Sequence, residues 1–289
     1  MKYEAIEKYS QEHSVGRMCR VLNLAESSYY QWRRRKKEQE IKRASENQTI
    51  ETVRKVFDVC RQTYGYRKMC QEMKNRGIVL SEYKIRRIMR ENGLYPVTMK
   101  KYKPAGKGKA SGKYYSDQVK QDFRTEKLNE VWAGDITYIK TVLGWVYLAV
   151  VIDLYNREII GYSISKKCDT ELVKRALANA LAHTNGGGKN TVFHSDRGST
   201  YCSKSFQKML NNHGLTGSMS RAGCPYDNAC VESFFSTAKR ECMYRREYVD
   251  IDAVQVDLFE YIELFYNRRR LHATLGNRSP VAFRQFQAA

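Results

Sequence analysis

Three carboxylates, Asp135, Asp196 and Glu232, stand in three distinctive contexts, with thirty-five residues between the last two. Asp135 lies inside the apolar run VWAGDITYIK, Asp196 ends TVFHSD, and Glu232 falls in NACVESFFSTAKRE. The first two runs read as strands and the third as a helix. Acidic groups delivered to one point by two strands and a helix repel one another, so the arrangement calls for divalent cations. That suits two-metal phosphoryl transfer, in which ions roughly 3.5–4 Å apart clamp the attacking and leaving oxygens. Each residue also has a plainer reading. Asp135 could be satisfied by neighbouring backbone or Thr137, and Asp196 could cap the RGSTY loop. Glu232 could share a solvated face with Lys239, seven positions on. Against the first, both parities of the Asp135 strand are apolar: Val131, Ala133 and Ile139 on one, Trp132, Ile136 and Tyr138 on the other. A carboxylate there is costly unless paired, hydrogen-bonded or metal-bound. Asp196 ends its strand, where open sheets place functional groups. The three together are a stronger signal than any one.

The elements that must carry these residues begin near residue 129. VWAGDITYIK, a turn at TVLG, WVYLAVVIDL, a turn at YNRE and EIIGYSIS read as three strands joined by tight turns. TELVKRALANALAHT is a helix, TVFHSD a short strand, SKSFQKMLNNHG a helix stopped by Gly214, and LTGSMS a short fifth strand. PYDNACVESFFSTAKREC is a helix with Asp227 or Asn228 as its cap. This order predicts an α/β fold, a mixed five-stranded sheet with helices on both faces. A further amphipathic helix over 252–267 leads into Arg268, Arg269 and Arg270.

The front of the chain reads differently. Residues 14–37 suggest a helix, a turn at NLAESS with candidate caps Ser27 and Ser28, and a second helix ending in five basic residues. Over 46–95 three more helices are expected, the last capped by Ser81 and stopped by Gly93. Its apolar face is Ile85, Ile88 and Met89, which leaves Lys84, Arg86, Arg87 and Arg90 mainly on the others. Those charges suit major-groove insertion or phosphate contact, or else form an ordinary solvated face. The Lys- and Gly-rich stretch 96–125 reads as a basic linker that tracks a DNA backbone or is simply solvated. The expected organisation is 1–45 and 46–95 as two all-α helix-turn-helix-like segments, 96–125 as linker, and 126–289 as catalytic core with a C-terminal helical extension.

The whole chain of 289 residues carries a formal charge of +20, which points to a polyanionic partner. Residues 1–125 hold 30 Lys and Arg against 14 Asp and Glu, and the remainder only 21 against 17. A basic front and an acid-bearing back suggest a DNA-holding part followed by a chemistry part. Eight cysteines without a CxxC pair read as reduced thiols. With no apolar run of about 18 residues and no signal-peptide pattern, the expected location is cytoplasmic, at the nucleoid.

WAGDITYI, HSDRGSTY and PYDNACVESFFSTAKRE resemble the three signature blocks of the retroviral-integrase-like DDE transposases. The closer resemblance is to the second-reading-frame (OrfB-type) proteins of the IS-three group of bacterial insertion sequences, whose spacing is also thirty-five. YGYRKM resembles that group's helix-turn-helix module and FYNRRRLHATLGNRSPVAF its C-terminal block, so nearly the whole chain is covered. The resemblance implies a ribonuclease-H-like core with Asp135 on the first strand and Asp196 at the end of the adjacent fourth. It implies that Asp135, Asp196 and Glu232 hold two Mg²⁺ ions, with Mn²⁺ able to substitute, and that Lys239 contacts the transposon end. Arg67 and Lys68 of YGYRKM join the DNA-contact candidates. Asp153 would order the turn or the edge of the site, while Tyr226 and His272 match motif positions without an assigned chemistry. Glu241, nine residues after Glu232, points to the opposite side of the helix. The implied partners are double-stranded DNA (terminal repeats and target), further copies of this chain, and an upstream-frame (OrfA-type) protein or fusion. The chain lacks an N-terminal retroviral-type zinc module and a leucine-zipper segment. A catalytically inactive DNA-binding regulator is the alternative function. A tyrosine-nucleophile recombination chemistry is disfavoured because no two histidines lie close enough for a His-hydrophobic-His nickase.

Overall fold

The computed structural model describes residues 1–97, 125–185, 190–220 and 229–288. The strands are β1 (Val131–Thr141), β2 (Gly144–Asp153), β3 (Ile159–Ser165), β4 (Val192–Ser195) and β5 (Thr216–Met219). Among the described residues they form one sheet in the order β3-β2-β1-β4-β5. The first three are an antiparallel meander, and β4 and β5 run parallel to β1 and to each other. This is the ribonuclease-H-like arrangement expected from the sequence.

Helices α6 (Thr170–His183) and α7 (Lys204–Asn212) make the crossovers and pack with Trp132, Val151 and Phe193 on one face. Asp169 and Ser203 cap them by accepting from the amides of Leu172 and Phe206. On the other face Ala133, Ile139, Val150 and Ile152 meet α8 (Ala229–Ala238) and α9 (Ile251–Phe259). Both α8 and α9 continue into π-helical turns, Lys239–Met243 and Glu260–Tyr266. The expected helix over 252–267 is therefore α9 plus its π turn.

The front half differs from expectation in two ways. Residues 2–9 form a helix, α1 (Lys2–Tyr9), where the polar start gave no signal. Its Ile6 joins Cys19 of α2 (Val15–Val21), Tyr29 and Trp32 in a small separate core. Then α3 runs unbroken from Glu26 to Val59, one helix of 34 residues where the apolar pattern suggests two. The division expected between residues 45 and 46 falls inside it. Residues 37–49 bury almost nothing, but they contain neither Gly nor Pro and are rich in good helix formers. Glu38 pairs with Arg34 and Glu51 with Lys55 at i,i+4 spacing. Ala25, rather than Ser27 or Ser28, occupies the N-cap.

Helices α4 (Tyr66–Asn75) and α5 (Glu82–Glu91) follow, with Ser81 accepting from the Lys84 amide as expected. Gly93 takes φ +66° and ends α5. Ile85, Ile88 and Met89 are buried. They belong to the same apolar cluster as α8, α9 and Leu271, so the helical module sits on the C-terminal part of the core. The last helix is α10 (Pro280–Ala288). Residues 98–124, most of the expected linker, lie outside the described residues.

Candidate active site

Ala133 of β1 pairs with His194 of β4, and Gly134 with Ser195. Asp135 and Asp196 are therefore the next residues along two parallel neighbours, brought side by side where β4 ends. Asp135 is 8% exposed, and its Oδ1 accepts from the Ile136 amide at 2.8 Å. Asp196 is half-buried, and its Oδ1 accepts from the Gly198 amide at 2.9 Å. A Cβ on Gly198 would stand 2.8 Å from that oxygen, so glycine lets the loop fold back onto the carboxylate.

Tyr201 is buried against Phe193 and Phe206 on the α6–α7 side of the sheet, close enough to feel both carboxylates. Its phenol is pushed well above its ordinary range, first by burial and then by the charges of Asp135 and Asp196. It stays protonated and neutral at physiological pH. Burial also raises the Cys202 thiol, with Asp196 adding to it, and Cys168 is raised by burial, Asp169 and Asp196. Gly134 makes room for the arrangement, because a Cβ there would lie 2.7 Å from Phe193 Cζ and 3.3 Å from Tyr201 Oη. Sequence reasoning did not single out Tyr201 or Gly134, although both lie inside the blocks that carry the resemblance.

Asp135 shares strand parity with Ala133 and Ile139, which pack with Val231, Phe234, Phe235 and Ala238 of α8. It therefore stands on the face that α8 covers. Glu232 is exposed in the first turn of α8. Its expected caps Asp227 and Asn228, and Tyr226, lie outside the described residues. Lys239 opens the π turn after α8, and its ammonium stands 5.5 Å from the centre of the Tyr138 ring. Tyr138 is three residues beyond Asp135 on β1, so Lys239 reaches the strand that carries that carboxylate.

Three carboxylates are hard oxygen donors, the set that Mg²⁺ and Mn²⁺ take. Among the described residues no three His, Cys, Asp or Glu side chains are gathered closely enough to hold an ion. The donor chemistry fits, and Asp135 and Asp196 supply two adjacent positions. Glu241 is engaged elsewhere: it accepts two hydrogen bonds from Arg270, each 2.8 Å, and one from Tyr261 at 2.9 Å. Asp153 orders the turn after β2, accepting from the amides of Asn129 and Tyr155 at 2.8 and 2.9 Å. Burial pushes its carboxyl up to about 6.

The basic candidates of the helical module fall into two groups. Arg67 and Arg86 both lie over the Tyr66 ring, 5.8 and 5.7 Å from its centre, on the outer surface. Arg90 is exposed and Lys84 half-buried. Arg87 instead bridges Glu46 of α3 and Glu91 of its own helix. Lys68 turns inward over Tyr64, and burial, with Arg270 nearby, lowers its ammonium to about 8.

Residues 125–225 and 213–280 match family models described as integrase core domain, and residues 44–102 match one described as HTH-like domain. Over 284 residues the chain is 38% identical to the transposase InsF for insertion sequence IS3A of Escherichia coli (strain K12), covering 98% of each. It is 35% identical over 269 residues to the insertion element IS600 uncharacterized 31 kDa protein of Shigella sonnei, covering 93% of this chain and 97% of that one. The HTLV-2 integrase catalytic core domain in complex with magnesium (trimeric form) aligns at 18% identity with a TM-score of 0.39, over 54% of this chain and 95% of that one. With near-complete coverage at 38% identity, and with the sheet order already described, the chain belongs to the IS3 family of insertion-sequence transposases.

Proposed function

We propose that this transposase cuts and joins insertion-sequence ends with Asp135, Asp196 and Glu232 as its metal-holding carboxylates. The observation that carries the reading is the β1–β4 register, which sets Asp135 and Asp196 side by side where β4 ends. DNA transposition and integration are the function of the family, and polynucleotidyl transfer is its reaction class. Two Mg²⁺ ions, with Mn²⁺ able to substitute, would supply activation of the attacking hydroxyl and stabilisation of the departing 3′ oxygen.

The chain's own residues prepare that chemistry. Backbone amides of Ile136 and Gly198 fix one oxygen of each aspartate, which orients the other for a cation. Tyr201 adds a buried, uncharged neighbour rather than a further charge. Lys239, held at β1 by Tyr138, supplies positive charge for the phosphates of the transposon end. Arg67, Arg86 and Arg90 on the exposed side of the helical module contact DNA, with Lys84 beside them. Arg87 and Lys68 serve mainly to hold the module together and to the core. The working unit contains more than one copy of this chain, and an upstream-frame partner or fusion completes end recognition. Among the described residues no helix is long and apolar enough to cross a membrane.

Cation binding separates this reading from a purely DNA-binding role without recourse to catalysis. A ligand that binds only the folded chain raises its melting temperature. Millimolar Mg²⁺ or Mn²⁺ should raise that of the wild-type chain and leave Asp196→Asn nearly unmoved. Equal shifts in both, or none in the wild type, would remove the carboxylate assignment.

A further inference from the structure

The run Arg268, Arg269, Arg270 does not act as one basic patch. Arg270 turns into the protein and forms its two bonds to Glu241, with 12% of its side chain exposed. Arg268 and Arg269 turn the other way and line a cavity of about 330 Å³ at the seam between α4 and the C-terminal block. Arg278 joins them, its guanidinium stacked 4.0 Å from the centre of the Phe286 ring. The facing wall is the outer side of α4, with Gln71, Glu72 and Asn75. Among the described residues none of the three arginines forms an ion pair, while Glu72 is matched by Arg76 at 2.8 Å. Three arginines thus border one cavity, and its lining carboxylate, Glu72, is already matched by Arg76.

Polar groups complete the lining. Ser279, whose hydroxyl accepts from the Ala282 amide at the start of α10, borders the cavity together with Ala282. Gln71 donates to Asn75 at 2.9 Å, leaving amide donors on the α4 wall. Arginine forks match phosphate oxygens, and three arginines gathered at one cavity make a place for a polyanion.

We infer that this cavity holds phosphates of the DNA backbone, forming a second DNA contact on the seam between the helix-turn-helix-like module and the core. The inference rests on the chain's being a DNA transposase. It implies that DNA bound there touches both units at once and fastens the module to the core. This surface is separate from the one formed by Arg67 and Arg86, and it reads backbone rather than sequence.

Binding of the full chain to a labelled duplex bearing the element's end, and to an unrelated duplex, tests it across a salt series. Each phosphate contact adds about 0.9 to the slope of log affinity against log salt. Arg268→Gln with Arg269→Gln should lower that slope by about 2 on both duplexes and weaken binding at fixed salt. Gln71→Glu, which puts a carboxylate on the opposite wall without touching an arginine, should weaken binding in the same way. Both walls responding supports the cavity as the site. Wild-type slope and affinity in the double variant would overturn it. So would a double variant that loses binding while Gln71→Glu does not, because the arginines would then act elsewhere. Failure of the wild-type chain to bind any duplex would instead overturn the DNA-transposase reading, whereas wild-type binding with unaffected variants removes the cavity alone.

Discussion

The C-terminal edge of β4, where Asp135 and Asp196 stand, and the seam between helical module and core both contain buried charge, and they treat it in opposite ways. In the seam each acid is matched to bases. Glu241 sits against Arg270, and Asp257 against Arg61 and Arg246 at 3.1 and 3.2 Å. Nearby, Glu158 meets Arg284 at 3.1 Å and His183 at 3.3 Å. Where β4 ends the register sets acid beside acid, and the fold adds a neutral phenol and backbone amides near them. Matched charge fixes how parts dock. Adjacent acids instead would favour cations, which is what the proposed phosphoryl-transfer site requires.

The largest effect expected from this contrast is at the edge. Asp135→Asn or Asp196→Asn should lower strand cleavage by about a thousandfold or more, roughly 4 kcal/mol of barrier, while DNA binding persists. Losing fold and binding together in both variants would place these aspartates among the structural acids of the seam.

In the seam, Arg270→Ala should behave in the reverse way. It strands Glu241 without its cation in a site where both side chains are largely buried, at a cost of about 3–5 kcal/mol in unfolding free energy. Denaturant unfolding reads this directly. A loss below about 1 kcal/mol would mean that the pair behaves as an exposed one.

His272 sharpens the account of the seam through pH. Burial holds its imidazole down to about 3, with Arg270, Lys68 and Arg157 adding to the effect. Its Nε2 is buried without a hydrogen-bond partner, and the ring meets Tyr266 edge-on at 4.9 Å. On unfolding the ring regains a value near 6.5, so the unfolded chain takes up the proton first. Its contribution to stability is therefore present above about pH 6.5 and is lost progressively as pH falls towards 3, by about 2 kcal/mol at pH 5. His272→Phe should remove that part of the acid sensitivity. An unchanged pH profile in the variant would show that His272 titrates normally.

The smallest effect separates two neighbouring arginines on α5. Arg86→Gln should lower the salt slope of DNA binding by about 1. Arg87→Gln should leave the slope alone and instead destabilise the packing of α3 on α5. Equal slopes in the two variants would mean that the bridge to Glu46 does not keep Arg87 from DNA.

The sequence revealed the edge better than the seam, and the reasons are physical. The apolar strand runs, the tight turn after Lys140 and the cap Ser81 are local signals, and each recurs in the structure. Asp135 and Asp196 lie at strand positions that local pattern locates well. The unbroken α3 was hidden because residues 37–49 carry no apolar period, and helix propensity without a buried face is a weak signal. The seam was hidden because its bonds join residues far apart. Arg61 meets Asp257 across 196 residues, and Tyr64 accepts from the Leu271 amide across 207. Nor could any local rule tell that Arg270 turns inward while its two neighbours turn out. Tyr201 was overlooked because one buried tyrosine among 21 has no distinguishing pattern.

The most direct test of the central claim is strand cleavage and joining on the element's own end DNA with Mg²⁺. This chain, alone and fused to the upstream frame, is compared with the same proteins carrying Glu232→Gln, with DNA binding read in parallel. The account predicts products from the wild-type chain or its fusion and none from Glu232→Gln, with binding equal in both. Products that persist in Glu232→Gln would contradict the three-carboxylate site. No product from either wild-type form, in folded protein that binds DNA, would contradict the catalytic reading itself.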